Sequence, residues 1–308
     1  MTIFVALADV IDNPDSRVAL ERSFSRVIVA TAREHAVTEL TALGETVDAA
    51  IIGVRERIDA GVLVALPRLR VVGSLSAGTD HLDLVALADR GVRVITTPGV
   101  NAVSVAEHAL MMILALAKRA LPAHAAVMAG QDRAGMIDPP IEVRGRRVGV
   151  LGAGATARAL VPLLRALGMD VMVWTHHPDL HPDLPTAGLE EIFGECSIVS
   201  VHLPLTPQTR GLVDAQLLRL LPPDALVVNV ARKEIIDSDG LRAVVAQRPD
   251  LWFAVDDFGL ADDGTVAVVG DRGLWSPHVA GITVEASAAM DDVVVRGVVQ
   301  AVTSRPPQ

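Results

Sequence analysis

Residues 147–166 read RVGVLGAGATARALVPLLRA. An apolar run from Arg147 to Leu151 enters Gly152-Ala-Gly154-Ala-Thr-Ala157 and leaves as a segment of helical periodicity. A buried strand, a tight turn and a helix satisfy all three pieces at once. In this G-x-G-x-x-A pattern Gly152 permits the turn, Gly154 lets a ligand approach the backbone, and Ala157 lets the helix lie close on the strand. The alternative is a tight turn that binds nothing. With the strand before it and the helix after it, the dinucleotide reading is favoured, and the amides of Ala155 and Thr156 at the helix N-terminus are the expected pyrophosphate ligands.

Outward from this stretch, short Val/Ile/Ala-rich runs alternate with amphipathic segments, the pattern of parallel strands joined by crossover helices. On the N-terminal side strands are expected at Ile3–Ala8, Val27–Ala30, Ala49–Gly53, Val71–Ser74 and Val92–Thr96. They make a flavodoxin-like sheet. On the C-terminal side, after Arg147–Leu151, strands are expected at Val171–Trp174, Ile198–His202, Ala225–Val230 and Trp252–Val255, with a short one before Pro277. Between the two sets, ITTPGVNAVSVAEH (95–108) holds Pro98 and Gly99, which end the first pattern, and one long apolar helix is expected from Ser104 to about Leu121, closed by Pro122. Helical periodicity returns at Val284–Val302. The predicted fold is α/β with two Rossmann-like doubly wound parallel-sheet domains: residues 1–98 plus 283–308 as a flavodoxin-like substrate domain, and 99–282 as the dinucleotide domain.

Composition bounds the rest. The 308 residues are 51% hydrophobic and 21% charged, enough to bury two cores. A formal net charge of -10 argues against a phosphate-backbone partner, so no nucleic acid is expected. Cys196 is the single cysteine, and MTIFVALADV lacks a basic region before its apolar stretch, which together point to a cytoplasmic protein. The apolar run Ala109–Ala117 is too short to span a bilayer and is closed by Lys118 and Arg119, so no membrane is expected. The helix that contains it is apolar around most of its circumference, and a homodimer formed on it is the expected assembly. No His/Cys/carboxylate cluster has metal-ligand spacing.

The second strand of the dinucleotide domain ends in Val171-Met-Val-Trp174-Thr175-His176-His177. An NAD site usually places a carboxylate here for the ribose hydroxyls, but Asp170 precedes the strand and Asp179 lies beyond the turn. Thr175, His176 and His177 suit a 2′-phosphate instead. NADP is modestly favoured over NAD.

Six stretches carry a family pattern: SAGTDHLDL (76–84), NAVSVAEHALMMILAL (101–116), GVLGAGATAR (149–158), VHLPLTPQTRGLV (201–213), NVARKEIID (229–237) and SPHVAGIT (276–283). Together they resemble the D-isomer-specific 2-hydroxyacid dehydrogenases, which include phosphoglycerate, formate and phosphite dehydrogenases and hydroxypyruvate reductases. The resemblance implies hydride transfer between a nicotinamide and a small 2-hydroxy or 2-oxo acid, with Arg232 binding substrate and His278 as acid and base. Chemistry agrees, because a guanidinium fork addresses a carboxylate and a carbonyl oxygen together, and an imidazole titrates near neutrality. The resemblance further implies that the backbone of Ser76, Ala77 and Gly78 takes the substrate carboxylate, and that Asn101 lines the substrate pocket. By the same resemblance His202, Leu203, Pro204, Thr206, Thr209, Val230 and Ala231 line the cofactor, and Asp256 lies near the nicotinamide. Glu107 and His108 are expected to anchor the long helix, and His81, His124 and His181 to be solvent-facing or structural.

One family residue is missing. A glutamate that pairs with the histidine stands five positions after the aspartate of a D-V-F-x-x-E-P pattern, and here DDFGLADD (256–263) places Ala261 there. Asp262 or Asp263 substitutes only if the loop shifts. Without a partner the imidazolium of His278 loses the charge that stabilises it. Two alternatives follow: an enzyme of the formate or phosphite type, and a non-catalytic NAD(H) sensor, for which the missing glutamate is the sole support. Lys233 also stands where the family has glycine, and favours a substrate bearing a second anionic group.

Overall fold

The computed structural model describes residues 1–133, 138–259 and 264–303. The chain divides into two units, Met1–Asn101 with Val284–Gln308, and Ala102–Thr283. In the first, β1 (Thr2–Val5), β2 (Arg26–Val29), β3 (Ala49–Ile52), β4 (Val71–Ser74) and β5 (Arg93–Ile95) form a parallel sheet in the order β2-β1-β3-β4-β5. This is the flavodoxin-like order, in which the winding reverses between β1 and β3. In the second, β6 (Arg147–Leu151), β7 (Asp170–Trp174), β8 (Ile198–Val201), β9 (Leu226–Asn229), β10 (Trp252–Asp256) and β11 (Gly273–Ser276) run parallel in the order β11-β10-β9-β8-β6-β7. Its winding reverses between β6 and β8. Both units are doubly wound α/β sheets.

Parallel strands are covered on both faces, so successive residues must both be apolar. Ile198, Leu226, Val228, Trp252 and Ala254 enter a core shared with the helices Ala102–Ala117 and Ala155–Ala166. Their neighbours Val199, Val227 and Phe253 enter a separate core on the opposite face, with Ile192, Phe193 and Leu241. The alternation follows the two-residue period of the strand.

The helix expected from Ser104 to Leu121 is two helices, Ala102–Ala117 and Ala120–Met128, bent by 59°. The break is Arg119, at φ 53. Its buried guanidinium lies 3.8 Å from the centroid of the Trp252 ring and donates to the Leu116 carbonyl, and these contacts favour a left-handed turn that local propensity does not predict. Pro122 therefore sits in the first turn of the second helix, where its missing N–H leaves no bond unmade. Among the described residues no single helix is long and apolar enough to cross a membrane.

In the first unit the helix Val284–Thr303 covers β3, β4 and β5, presenting Met290, Val294, Val298 and Val302 at three- and four-residue spacing. Asp291 lies on the same buried stretch, 8% exposed. Burial, reinforced by the Asp9 carboxylate, pushes its carboxyl from 3.8 up to about 6. Raised in the folded state, it keeps a proton that the unfolded chain has already lost, so stability falls as pH rises toward about 6 and the full cost is felt above that value. Asp291→Asn is expected to raise stability at pH 8 by roughly 1–3 kcal/mol and to leave it nearly unchanged at pH 4. Urea midpoints at the two pH values check this, and equal midpoints at pH 8 would contradict it.

Candidate functional site

At the winding reversal of the six-stranded sheet, the ends of β6, β7 and β8 open a cavity of about 600 Å³. Its wall takes Gly152, Ala153 and Gly154 from the first, Thr175, His176 and His177 from the second, and His202, Leu203 and Pro204 from the third. Thr206, Gln208, Thr209 and His181 complete it. Gly152 is at φ 118, and a Cβ there would lie 2.6 Å from the His202 carbonyl oxygen, so only glycine fits. At Gly154 a Cβ would meet nothing within 4 Å, which leaves open space in front of the backbone at the start of the helix Ala155–Ala166. Ala155 and Thr156 occupy that first turn, whose N–H groups have no intrahelical partner. Ala157 is 1% exposed against the sheet.

The loop after β8 is held by its own hydroxyls. Thr209 Oγ1 donates to the Pro204 carbonyl and accepts the Thr206 N–H at 2.8 Å. His202 Nε2 bonds Ser200 Oγ at 2.8 Å, while its buried Nδ1 has no partner. Burial pushes this imidazole down to about 4, so it is neutral at physiological pH. His181, expected to be structural or exposed, belongs to the wall, and its Nδ1 accepts from Arg158, which is also paired with Asp183 at 2.7 Å. No carboxylate stands among the wall residues. Asp170 is the first residue of β7, at the strand end away from the cavity. A turn where only glycine fits at position 152, and open space before Gly154 at a helix N-terminus, are features of a dinucleotide-binding turn.

A second group of residues gathers at the ends of β9, β10 and β11. Asn229 closes β9 by accepting the Ala231 N–H and donating to the Arg232 carbonyl, which sets the path of the Val230–Lys233 turn. Val230 is buried, Arg232 is half-buried, and Arg232 Nη1 donates to the Ala231 carbonyl. Asp256, at the end of β10, is 2% exposed. Its carboxylate accepts Ser276 Oγ and the N–H groups of Val279 and Ala280, the latter two at 2.8 Å. It is an anchor for the turn that follows β11, rather than a group standing free for a ligand. His108 Nε2 reaches Ser276 Oγ at 3.1 Å, tying the helix Ala102–Ala117 to the same strand end.

That turn carries His278 at φ 59, a left-handed conformation unusual for a side-chain-bearing residue. Its Nδ1 lies 3.2 Å from Asp257 Oδ1, and its ring stacks on Phe258 at 4.8 Å between centroids and 17°. Asp262, Asp263 and Ala261 lie outside the described residues. Among the described residues the carboxylate beside His278 is that of Asp257, which was not among the candidates expected for this place. Burial works to raise its pKa, but hydrogen bonds from His278 and from the N–H groups of Lys233 and Phe258 outweigh burial and hold it below the ordinary value. Asp257 is thus a buried, ionised group 3.2 Å from the imidazole. The available signal was the Asp256-Asp257 pair itself, since neighbours at a strand end point to opposite sides.

In the first unit, Ser76, Ala77 and Gly78 follow β4 after one residue, Leu75. The Ser76 carbonyl accepts the Thr97 N–H and the Gly78 carbonyl accepts Ser76 Oγ, whereas their three N–H groups donate to nothing among the described residues. His81 is buried and bonds Ser74, so of the readings left open for it the structural one holds. His124 is exposed, and Asn101 is half-buried at the end of this unit. Among the described residues no group of three or more His, Cys, Asp or Glu side chains is arranged to hold a metal.

The model of the D-isomer specific 2-hydroxyacid dehydrogenase NAD binding domain matches residues 110–279. The chain belongs to this family. It is 32% identical over 298 residues to (S)-sulfolactate dehydrogenase of Chromohalobacter salexigens, covering 93% of this chain and 94% of that protein. It is 34% identical over 218 residues to erythronate-4-phosphate dehydrogenase of Ectopseudomonas mendocina, covering 71% of this chain but only 53% of that protein, so the matched region is about half the length of that relative. Its fold is shared with D-lactate dehydrogenase of Aquifex aeolicus complexed with NAD and lactic acid, at TM-score 0.84, 23% identity and coverage of 98% and 96%. The six-stranded unit is the region of the family's NAD binding domain.

Gly154→Ala places a methyl group in open space, so the variant is expected to melt like the parent yet to bind NADH and NADPH at least tenfold more weakly. Nucleotide fluorescence titration and a thermal melt check both halves. Unchanged affinity would remove the cradle from the account.

Proposed function

We propose that this chain interconverts a 2-hydroxy acid and the corresponding 2-oxo acid with a nicotinamide dinucleotide, with Arg232 binding substrate and His278 as general acid and base. The observation that carries this reading is the pair formed by Asp257 and His278 Nδ1. A carboxylate only accepts, so Nδ1 is the protonated nitrogen, and Nε2 is left to exchange a proton with the substrate oxygen. In reduction the imidazolium gives its Nε2 proton to the carbonyl oxygen as negative charge develops there, and in oxidation the neutral ring removes the hydroxyl proton. Asp257 stabilises the charged ring and keeps it aligned. The bound nicotinamide supplies or accepts the hydride. Arg232 holds the acid in the plane that a guanidinium fork recognises. The backbone N–H groups of Ser76, Ala77 and Gly78 are a candidate place for a substrate carboxylate.

The wall of Gly152, Gly154, Thr175, His176, His177, His202, Leu203, Pro204 and Thr209 holds the dinucleotide, with the amides of Ala155 and Thr156 at its pyrophosphate. Hydroxyl and imidazole groups without a carboxylate at the end of β7 favour NADP over NAD. Lys233 marks the substrate class. Among the described residues its ammonium donates to the Gly259 carbonyl, and two relatives are named for acids that carry a phosphate or a sulfonate beside the carboxylate. A substrate with a second anionic group fits this cation. Assembly as a homodimer is part of the same proposal. The sensor alternative rests on the missing family glutamate, and the Asp257–His278 pair weighs against it.

An assay at 340 nm with NADH and NADPH against glyoxylate, hydroxypyruvate and phosphonopyruvate tests the reading. His278→Ala is expected to lower kcat/KM by about 10²-fold or more, and Asp257→Asn by about tenfold or more. Lys233→Ala is expected to raise KM for phosphonopyruvate more than for glyoxylate. Binding of nucleotide with no turnover of any acid between pH 5 and 8 would sink the dehydrogenase proposal.

A further inference from the structure

Behind the turn Ser76–Gly78 lies a buried line of polar groups that takes no part in the dehydrogenase chemistry. Ser74 is 0% exposed, Ser76 4% and His81 6%. Ser74 Oγ lies 2.8 Å from both Ser76 Oγ and His81 Nε2, and Ser76 Oγ donates to the Gly78 carbonyl at 2.7 Å.

The order of the protons along this line is forced. A carbonyl only accepts, so the single hydroxyl proton of Ser76 is spent on Gly78. Ser76 Oγ must then accept from Ser74, which spends the Ser74 proton, and Ser74 Oγ must accept in turn from His81 Nε2. The chain runs His81 Nε2–H to Ser74, Ser74 to Ser76, and Ser76 to the carbonyl of Gly78. Its last bond draws that carbonyl inward, and the Thr97 N–H does the same to the carbonyl of Ser76. Two acceptors of the turn are consumed by the interior while the N–H groups of Ser76, Ala77 and Gly78 stay unspent among the described residues. Consecutive amides presented in this way form an anion-binding concavity.

We propose that His81, acting through Ser74 and Ser76, is the positioning residue that holds this turn open to an anionic group. The proposal rests on the reading of Ser76–Gly78 as the place of the substrate carboxylate, and adds the device that keeps it there. His81 itself touches no substrate. What the position requires is a donor at the place of Nε2, which a glutamine amide reproduces and a phenylalanine ring does not.

The probe is oxalate, a dicarboxylate that cannot be reduced by hydride, followed by the amide NMR signals of Ala77 and Gly78 in the full-length protein. Oxalate is expected to shift both signals, with an affinity about tenfold weaker in His81→Phe and in Ser74→Ala, and within threefold of the parent in His81→Gln. The long-range imidazole spectrum is expected to show His81 with its proton on Nε2. If His81→Phe does not fold, Ser74→Ala decides alone. Equal oxalate affinity in the parent and Ser74→Ala, or Ala77 and Gly78 signals indifferent to oxalate in the parent, would overturn the proposal. Turnover is read separately. A chain that reduces 2-oxo acids while these amides ignore oxalate keeps the proposed function and loses this inference, and an inactive chain whose amides respond does the reverse.

Discussion

The carboxylates of Asp256 and Asp257 leave the end of β10 on opposite sides, and the geometry around His278 depends on that alternation. Asp256 gathers Ser276 Oγ and two backbone N–H groups of the next turn. Charge-assisted bonds of this kind contribute about 1.5–3 kcal/mol each, enough to offset the roughly 1–3 kcal/mol cost of a left-handed histidine. With the backbone held, the ring of His278 falls between Phe258 and Asp257. Asp257 also takes the Lys233 N–H at 2.6 Å, so one carboxylate joins the segment bearing Arg232 to the imidazole. Asp257, next in the chain to the strand-end carboxylate of Asp256, supplies the charge beside His278.

The two units use the same solution at their strand ends. In a parallel sheet the backbone leaves the last hydrogen-bonded residue with polar groups that need partners. After β6 the chain turns through Gly152 into a helix whose first N–H groups are unspent, and after β4 it turns through Ser76–Gly78, whose carbonyls are tied inward by Ser76 and Thr97. Each turn therefore exposes donors without acceptors. Such places attract anionic groups, because water is the only competing acceptor and the field of the local peptide dipoles favours negative charge.

Much of the fold was legible because it is encoded locally. The β6 turn shows its glycines at fixed offsets, the strands show continuous Val/Ile/Ala runs of four or five residues, and Val284–Thr303 shows a period near 3.6. Arg119 shows the limit of such reading. Nothing in KRALP distinguishes a helix interior from a left-handed break until the guanidinium has Trp252 to lie against, more than a hundred residues away in the chain. His81 was equally opaque, since its burial depends on where Ser74 and Ser76 come to rest.

The roles proposed for Arg232 and His278 come from the family resemblance, whereas the sequence by itself determined the two doubly wound sheets and the glycine turn at Gly152–Ala157. The sheets and the turn rest on patterns within a few residues, where period and spacing translate directly into geometry. Only the tertiary structure decided which carboxylate faces His278, that Asp256 serves the backbone, and that His181 joins the cavity wall. Those are contacts between segments far apart in the chain, and a hydrogen bond is set by a distance and an angle that no local pattern contains.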